Sequence, residues 1–164
     1  RRVRDLALRW HAQVEPDADA ERQHELRWAA ELHEVGMMVS HHDHHRHSAY
    51  LVAHVDAAGF SQSQQRRVAD LVLGQRGGLR KMEPAMTDVD VAWQLLCLRL
   101  AAIKCHARAE IDPLAIHIER RGATARLRWN PDWASAHPRA VHLLREEAEA
   151  WSRGVPLILE LPSG

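Results

Sequence analysis

Residues 89–107, VDVAWQLLCLRLAAIKCHA, form the longest apolar segment of this 164-residue chain. The segment is rich in leucine and shows helical spacing, which is typical of a helix enclosed by other elements. Thr87 or Asp88 would cap its first turn. We therefore predict a central helix against which the rest of the chain packs.

Amphipathic spacing predicts four further helices on the N-terminal side. A glycine, Gly36, is expected to end the second of them, and the pair Ser61 and Gln64 has the spacing of a capping box that opens the fourth. The predicted helices cover residues 3–14, about 19–34, 49–55, and 61 up to the glycines at 74–78. Together with the apolar helix they make an all-helical domain over residues 1–110.

The pattern changes to period two after Asp112-Pro113. Residues 115–119 and 125–129 alternate between apolar and polar side chains and predict a β-hairpin. A helix is expected to begin at Pro138, and residues 156–161 predict a last strand. The fold class is therefore α+β, a mostly helical domain followed by a small ββαβ appendage over residues 111–164.

Composition excludes several classes of protein. Lys and Arg total 22, equal to Asp and Glu, so a nucleic-acid binder driven by overall positive charge is disfavoured. No apolar run is long enough to span a membrane. Cys97 and Cys105 are too far apart on one helix for a disulfide, and free thiols favour a cytoplasmic location.

Histidine is the unusual residue of this chain, which contains 13 of them. Five lie within HHDHHRH, residues 41–47. Imidazole groups serve metal binding, proton transfer and anion binding, and this run is therefore the first place to look for a functional site.

Motifs around this run resemble those of one family. The matching stretches are WAAELHEVG (28–36), SH (40–41), HHRHSAYL (44–51) and GFS (59–61). They resemble the exopolyphosphatase / guanosine pentaphosphate phosphohydrolase family, and the HRHSAY run followed by GFS is the most specific part. A weaker likeness extends over nearly the whole chain.

The resemblance implies a longer hydrolase, of which this chain is the C-terminal region. In that family an N-terminal actin-like module, with magnesium and a carboxylate base, cleaves terminal phosphates from inorganic polyphosphate or guanosine pentaphosphate. The C-terminal region, an HD-like helical domain with a small terminal domain, lines the polyphosphate path and contributes to a homodimer. We expect no catalytic residue and no cofactor within these 164 residues.

HD-type phosphohydrolases bind a divalent metal with a His-Asp pair and a later Asp. Here Glu34 follows His33, and Arg99 stands where the later Asp is expected. A guanidinium group cannot ligate a cation but binds phosphate oxygens well, so we predict an anion site instead of a metal site. The predicted polyphosphate-binding residues are His33, His41, His45, Arg46, His47, Arg76, Arg80, Lys81 and Arg99.

Two other functions remain open at this stage. His33 and Glu34 could still hold a metal, which would make the chain a self-sufficient metal-dependent HD phosphohydrolase acting on a nucleotide or phosphoester. Alternatively, the chain is an interaction module without a ligand. His33 could equally be a buried histidine that is hydrogen-bonded to a neighbour.

Overall fold

A computed structural model describes residues 2–39, 61–105, 114–153 and 156–163, with only the backbone for residues 34–39. The chain folds into helices and a small sheet, which confirms the predicted α+β class. Within the described ranges, no helix is long and apolar enough to cross a bilayer. The predicted helix at residues 49–55 lies outside them.

Four longer helices form the first part of the chain. They are α1 (Arg2–Val14), α2 (Ala20–Val39), α3 (Gln62–Gly74) and α4 (Val89–Lys104). Two 3₁₀ turns, Arg80–Met82 and Ala85–Thr87, connect α3 to α4. Helix α4 packs against the other three, and its residues 91–101 are all buried, which confirms the predicted central helix.

Side-chain caps set the starts of three of these helices, and at α2 the side chain of Asp19 accepts from the backbone N–H of Arg22. The Ser61 hydroxyl accepts from the backbone N–H of Gln64, and the Gln64 side chain accepts from that of Ser61, which confirms the predicted capping box. Asp88 caps α4 by accepting from the backbone N–H of Asp90. These bonds satisfy amide groups that a helix start otherwise leaves without partners.

The second part is a three-stranded sheet with two helices. Strands β1 (Ile116–Arg121) and β2 (Thr124–Trp129) form the predicted hairpin, and β3 (Ile158–Glu160) pairs in parallel with β2. Helices α5 (Pro131–Ala136) and α6 (Pro138–Trp151) connect β2 to β3. The strand β1 packs against α1, and α6 packs against α4.

Two sequence predictions about the elements were wrong. Helix α2 continues past Gly36 to Val39, because one glycine weakens a helix by only about 1 kcal/mol and does not break its backbone hydrogen bonds. Helix α5 was missed, although Asn130 caps it and Pro131 occupies its first turn. An asparagine cap followed by a proline is a helix-start signal, but a helix of only six residues is too short to show amphipathic spacing in the sequence.

One hydrophobic cluster joins both parts of the chain. It extends from Val3 of α1 through α4 to Leu144 of α6 and Leu159 of β3. Both cysteines are free thiols, as predicted, and Cys97 lies inside this cluster. The helical part and the sheet are therefore packed on a shared core.

Candidate functional site

A cleft of about 910 Å³ lies where α1, α4 and α6 meet His33 of α2 and the loop after α3. Its apolar wall is formed by side chains of α1, α4 and α6, among them Val3, Ile103 and Leu143. The charged and polar lining residues are Arg2, His33, Gln75, Arg76, Arg99, Arg139, Glu146 and Glu147. The cleft thus combines apolar surface with a concentration of charged groups.

The charge of this lining is positive although the chain as a whole is neutral. Four guanidinium groups face two carboxylates, an excess of two positive charges. Arg139 at the start of α6 is exposed and makes no ion pair with any described residue. A positive cleft with an apolar wall is suited to an anionic ligand.

Arg99 of α4 forms a buried ion pair with Glu147 of α6. Its Nε donates to Oε2 of Glu147 at 2.6 Å and its Nη2 to Oε1 at 2.8 Å, while Nη1 donates to the carbonyl oxygen of Gly74 at 2.8 Å. The Nε1 of Trp151 also donates to Oε2 of Glu147, at 2.7 Å. The arginine is 7% and the glutamate 6% exposed, so the pair forms one inner wall of the cleft.

His33 is buried and donates a hydrogen bond from Nδ1 to the side-chain oxygen of Gln75. The Nε2 of Gln75, by contrast, has no hydrogen-bond partner among the described residues, although Gln75 is only 3% exposed. This amide is a buried donor at the cleft, and an acceptor such as a phosphate oxygen would satisfy it.

The loop after α3 supplies Arg76 to the cleft. The chain turns at Gly77, whose φ of 77° is a backbone conformation that residues other than glycine rarely adopt. The ammonium group of Lys81 then donates to the backbone oxygen of Arg76 at 2.8 Å. Lys81 therefore holds the loop, and neither it nor Arg80 is among the residues that line the cleft.

The structure brings together three of the predicted binding residues, His33, Arg76 and Arg99. The others with described positions, Arg80 and Lys81, lie nearby on the 3₁₀ turn. His41, His45, Arg46 and His47 lie outside the described residues. Five charged or polar residues of the cleft were not predicted: Arg2, Gln75, Arg139, Glu146 and Glu147.

Neither Arg2 nor Arg139 lies within a recognisable sequence motif. They reach the cleft because α1 and α6 both pack on α4. Gln75 is the neighbour of Arg76 in the glycine-rich break after α3, and only this adjacency could have pointed to it.

The described residues do not fit a metal centre. Within the described part of the chain, no three His, Cys, Asp or Glu side chains are grouped as metal ligands. Arg99, which stands where a metal-binding Asp was expected, lies in the same cleft as His33, and its guanidinium group cannot ligate a metal cation. The side chain of Glu34 lies outside the description, so the pair His33 and Glu34 is untested.

A second polar centre is buried between α1 and the start of α4. Burial lowers the pKa of His11 to about 4, and its Nδ1 has no hydrogen-bond partner in the described structure. Burial, followed by the charge of Asp90, raises the pKa of Glu15. Neither His11 nor Glu15 lines the cleft that contains Arg99, and we assign them to stability and not to ligand binding.

Acidification is expected to destabilise the chain as His11 takes up a proton. Its pKa is about 4 in the folded chain against an ordinary value of 6.5, so the unfolded chain binds the proton first. Stability is therefore lost as the pH falls from about 6.5 towards 4, by about 3 kcal/mol in all. Glu15 acts in the opposite sense, because its raised pKa adds stability that is lost as the pH rises through that pKa.

Urea unfolding at pH 7, 6 and 5 measures this loss. In the variant His11→Gln, the decline of the unfolding free energy between pH 6.5 and pH 5 should become clearly shallower. An equal decline in both proteins would contradict the assignment to His11.

Comparison with known proteins matches residues 1–148 to the family described as Ppx/GppA phosphatase, domain III. A guanosine-5'-triphosphate,3'-diphosphate pyrophosphatase from Photobacterium profundum is 31% identical over 153 residues, which cover 90% of this chain and 30% of that protein. The protein of the same name from Pseudoalteromonas translucida is 27% identical over 127 residues, 76% of this chain and 26% of that protein. The chain thus spans less than a third of the length of these relatives.

The fold and the cleft together define a helical α+β region with an arginine-lined cleft. With the match over residues 1–148, they lead to one conclusion: the chain belongs to the Ppx/GppA phosphatase family. This confirms the resemblance predicted from the HRHSAY and GFS motifs, including the prediction that the chain corresponds to a C-terminal region.

Proposed function

We propose that this chain is the anion-binding C-terminal region of a hydrolase that releases terminal phosphate from inorganic polyphosphate or guanosine pentaphosphate. Catalysis is assigned to an N-terminal actin-like module with magnesium, which corresponds to the part of the relatives that this chain does not cover. The chain would bind the phosphates of the substrate and contribute to a homodimer. The dimer rests on the family resemblance alone.

The observation that carries this proposal is the excess of guanidinium groups in the cleft. Arg76 and Arg139 lie at its exposed edge, where water-accessible cations can meet a mobile anion. Guanidinium groups match phosphate oxygens in geometry and bind them with two parallel hydrogen bonds. The buried amide of Gln75 adds a donor that lacks a partner within the described structure.

The wall of the cleft bears on the choice between the two substrates. Val3, Ile103 and Leu143 present apolar surface beside the arginines. Inorganic polyphosphate has no apolar part, whereas a guanosine nucleotide has a flat base that can cover such a wall. The relatives above are named for the nucleotide, which supports guanosine pentaphosphate as the better ligand of this cleft.

Titration of the 164-residue chain with long-chain polyphosphate, and separately with guanosine pentaphosphate, tests the proposal. At pH 7 we expect both to bind at 50 mM salt, and the affinity for polyphosphate to fall roughly tenfold at 200 mM, since two or three cations release counterions on binding. Guanosine pentaphosphate should retain more of its affinity at high salt because part of its contact is apolar. Absence of binding at 50 mM, or a salt-independent affinity for polyphosphate, would refute the proposal.

A further inference from the structure

The ion pair between Arg99 and Glu147 determines how many positive charges the cleft offers to a ligand. The two side chains meet through two short hydrogen bonds and are both more than nine-tenths buried. In this arrangement the negative charge of Glu147 compensates the positive charge of Arg99 at contact distance. A phosphate in the cleft would therefore meet a neutral pair and not a free guanidinium.

The geometry of Arg99 supports the same conclusion. Nε and Nη2 face the two carboxylate oxygens, and Nη1 faces the carbonyl oxygen of Gly74, so all three nitrogens already have an acceptor. Gly74 is the last residue of α3, directly before Gln75 and Arg76. Arg99 thus connects α4, α6 and the loop that carries Arg76 into the cleft.

We propose that Glu147 masks the charge of Arg99, so that this arginine positions the loop after α3 and does not itself bind the anion. Glu147 is then a specificity-determining residue, since it removes Arg99 from the guanidinium groups of the described cleft lining that a ligand can bind. The inference rests on the proposed anion-binding function. It departs from the sequence-based prediction that Arg99 is a direct phosphate ligand.

The variant Glu147→Gln unmasks Arg99 while it keeps the size of the side chain and one oxygen for hydrogen bonding. We expect the affinity of the 164-residue chain for polyphosphate at 50 mM salt to rise at least about threefold. The plot of log affinity against log salt concentration should steepen by about one released ion. A merely structural role of Glu147 would leave this slope unchanged, and that result would overturn the inference.

The double variant Arg99→Gln/Glu147→Gln keeps the test decisive if Glu147→Gln alone does not fold. It removes both charges and leaves no buried ion without a partner. If Arg99 is masked in the wild type, the double variant keeps the wild-type salt slope, even where a looser loop alters the affinity. A slope that falls by about one ion would show that Arg99 binds the anion directly and would overturn the inference.

The two proposals fail in different ways. Wild-type chain that binds no polyphosphate at 50 mM salt refutes the anion-binding function, whether or not Glu147→Gln gains binding. If the wild-type chain binds polyphosphate but the salt slope is unchanged in Glu147→Gln, or reduced in the double variant, only the masking by Glu147 is refuted. Circular dichroism of each variant at the titration temperature establishes that it is folded.

Discussion

Replacement of both Arg76 and Arg139 by glutamine is expected to lower the affinity of the chain for polyphosphate at least about tenfold at 50 mM salt. Each side chain would make charge-assisted hydrogen bonds to phosphate, and such bonds contribute about 1.5–3 kcal/mol apiece. Both lie at the exposed edge of the cleft, so their loss leaves the core unchanged. Isothermal titration calorimetry of the variant and the wild type measures the difference.

A matched control separates the cleft from overall charge. Arg66 on α3 and Arg145 on α6 are exposed and do not line the cleft, so Arg66→Gln/Arg145→Gln removes the same net charge elsewhere. We expect this control to change the affinity less than about twofold, because neither side chain lines the cleft and the charges of exposed side chains are screened by salt. An equal loss in both double variants would mean that polyphosphate binds the surface without a defined site.

The largest expected effect on stability is at Arg67. Its Nε and Nη2 donate to Oε2 of Glu25 at 2.8 and 2.6 Å, and Glu25 is 0% exposed. Arg67→Met leaves this carboxylate with Arg22 at 3.8 Å and Gln94 at 3.4 Å as its remaining partners. We expect a loss of about 3 kcal/mol in the free energy of unfolding, measured by urea denaturation, since a buried charge without its main partner is strongly destabilising.

Two further variants test the cause of this loss. Arg66→Met changes the neighbouring exposed arginine and should shift the free energy of unfolding by less than about 0.5 kcal/mol. Arg67→Met/Glu25→Leu removes both charges and should recover most of the stability, because an apolar pair can replace a buried ion pair without a large penalty. If the double variant is no more stable than Arg67→Met, the loss comes from packing and not from the unpaired carboxylate.

Local signals in the sequence were sufficient to predict most of the fold. The capping box at Ser61 and the period-two pattern around Gly122 depend on residues that are close in the chain, so their structural meaning can be inferred without the tertiary fold. Gly36 failed as a stop signal because helix propensity is a weak preference that neighbouring residues override. The start of α5 is encoded by Asn130 and Pro131, although no helix was predicted between the second strand and Pro138.

The site was harder to predict because its charges are paired across the fold. Arg99 was predicted to bind phosphate and it lines the cleft, but nothing in the sequence indicates that Glu147 pairs with it. Arg139 was not predicted because its meaning depends on how α6 packs against α4. Residue types and spacing therefore pointed to the region of the cleft, whereas its net charge depends on the tertiary structure.

The contacts that Arg120 of β1 makes with the helical part limit which segments can be exchanged between relatives. Its guanidinium lies 4.5 Å from the ring centroid of Trp93 on α4 and donates to the backbone oxygen of Val14 at 3.4 Å. A chimaera that takes its sheet from another family member would lose this stacking unless residues 93 and 120 were transferred as a pair. Crossover points for recombining these proteins should therefore be chosen so that both positions come from one parent.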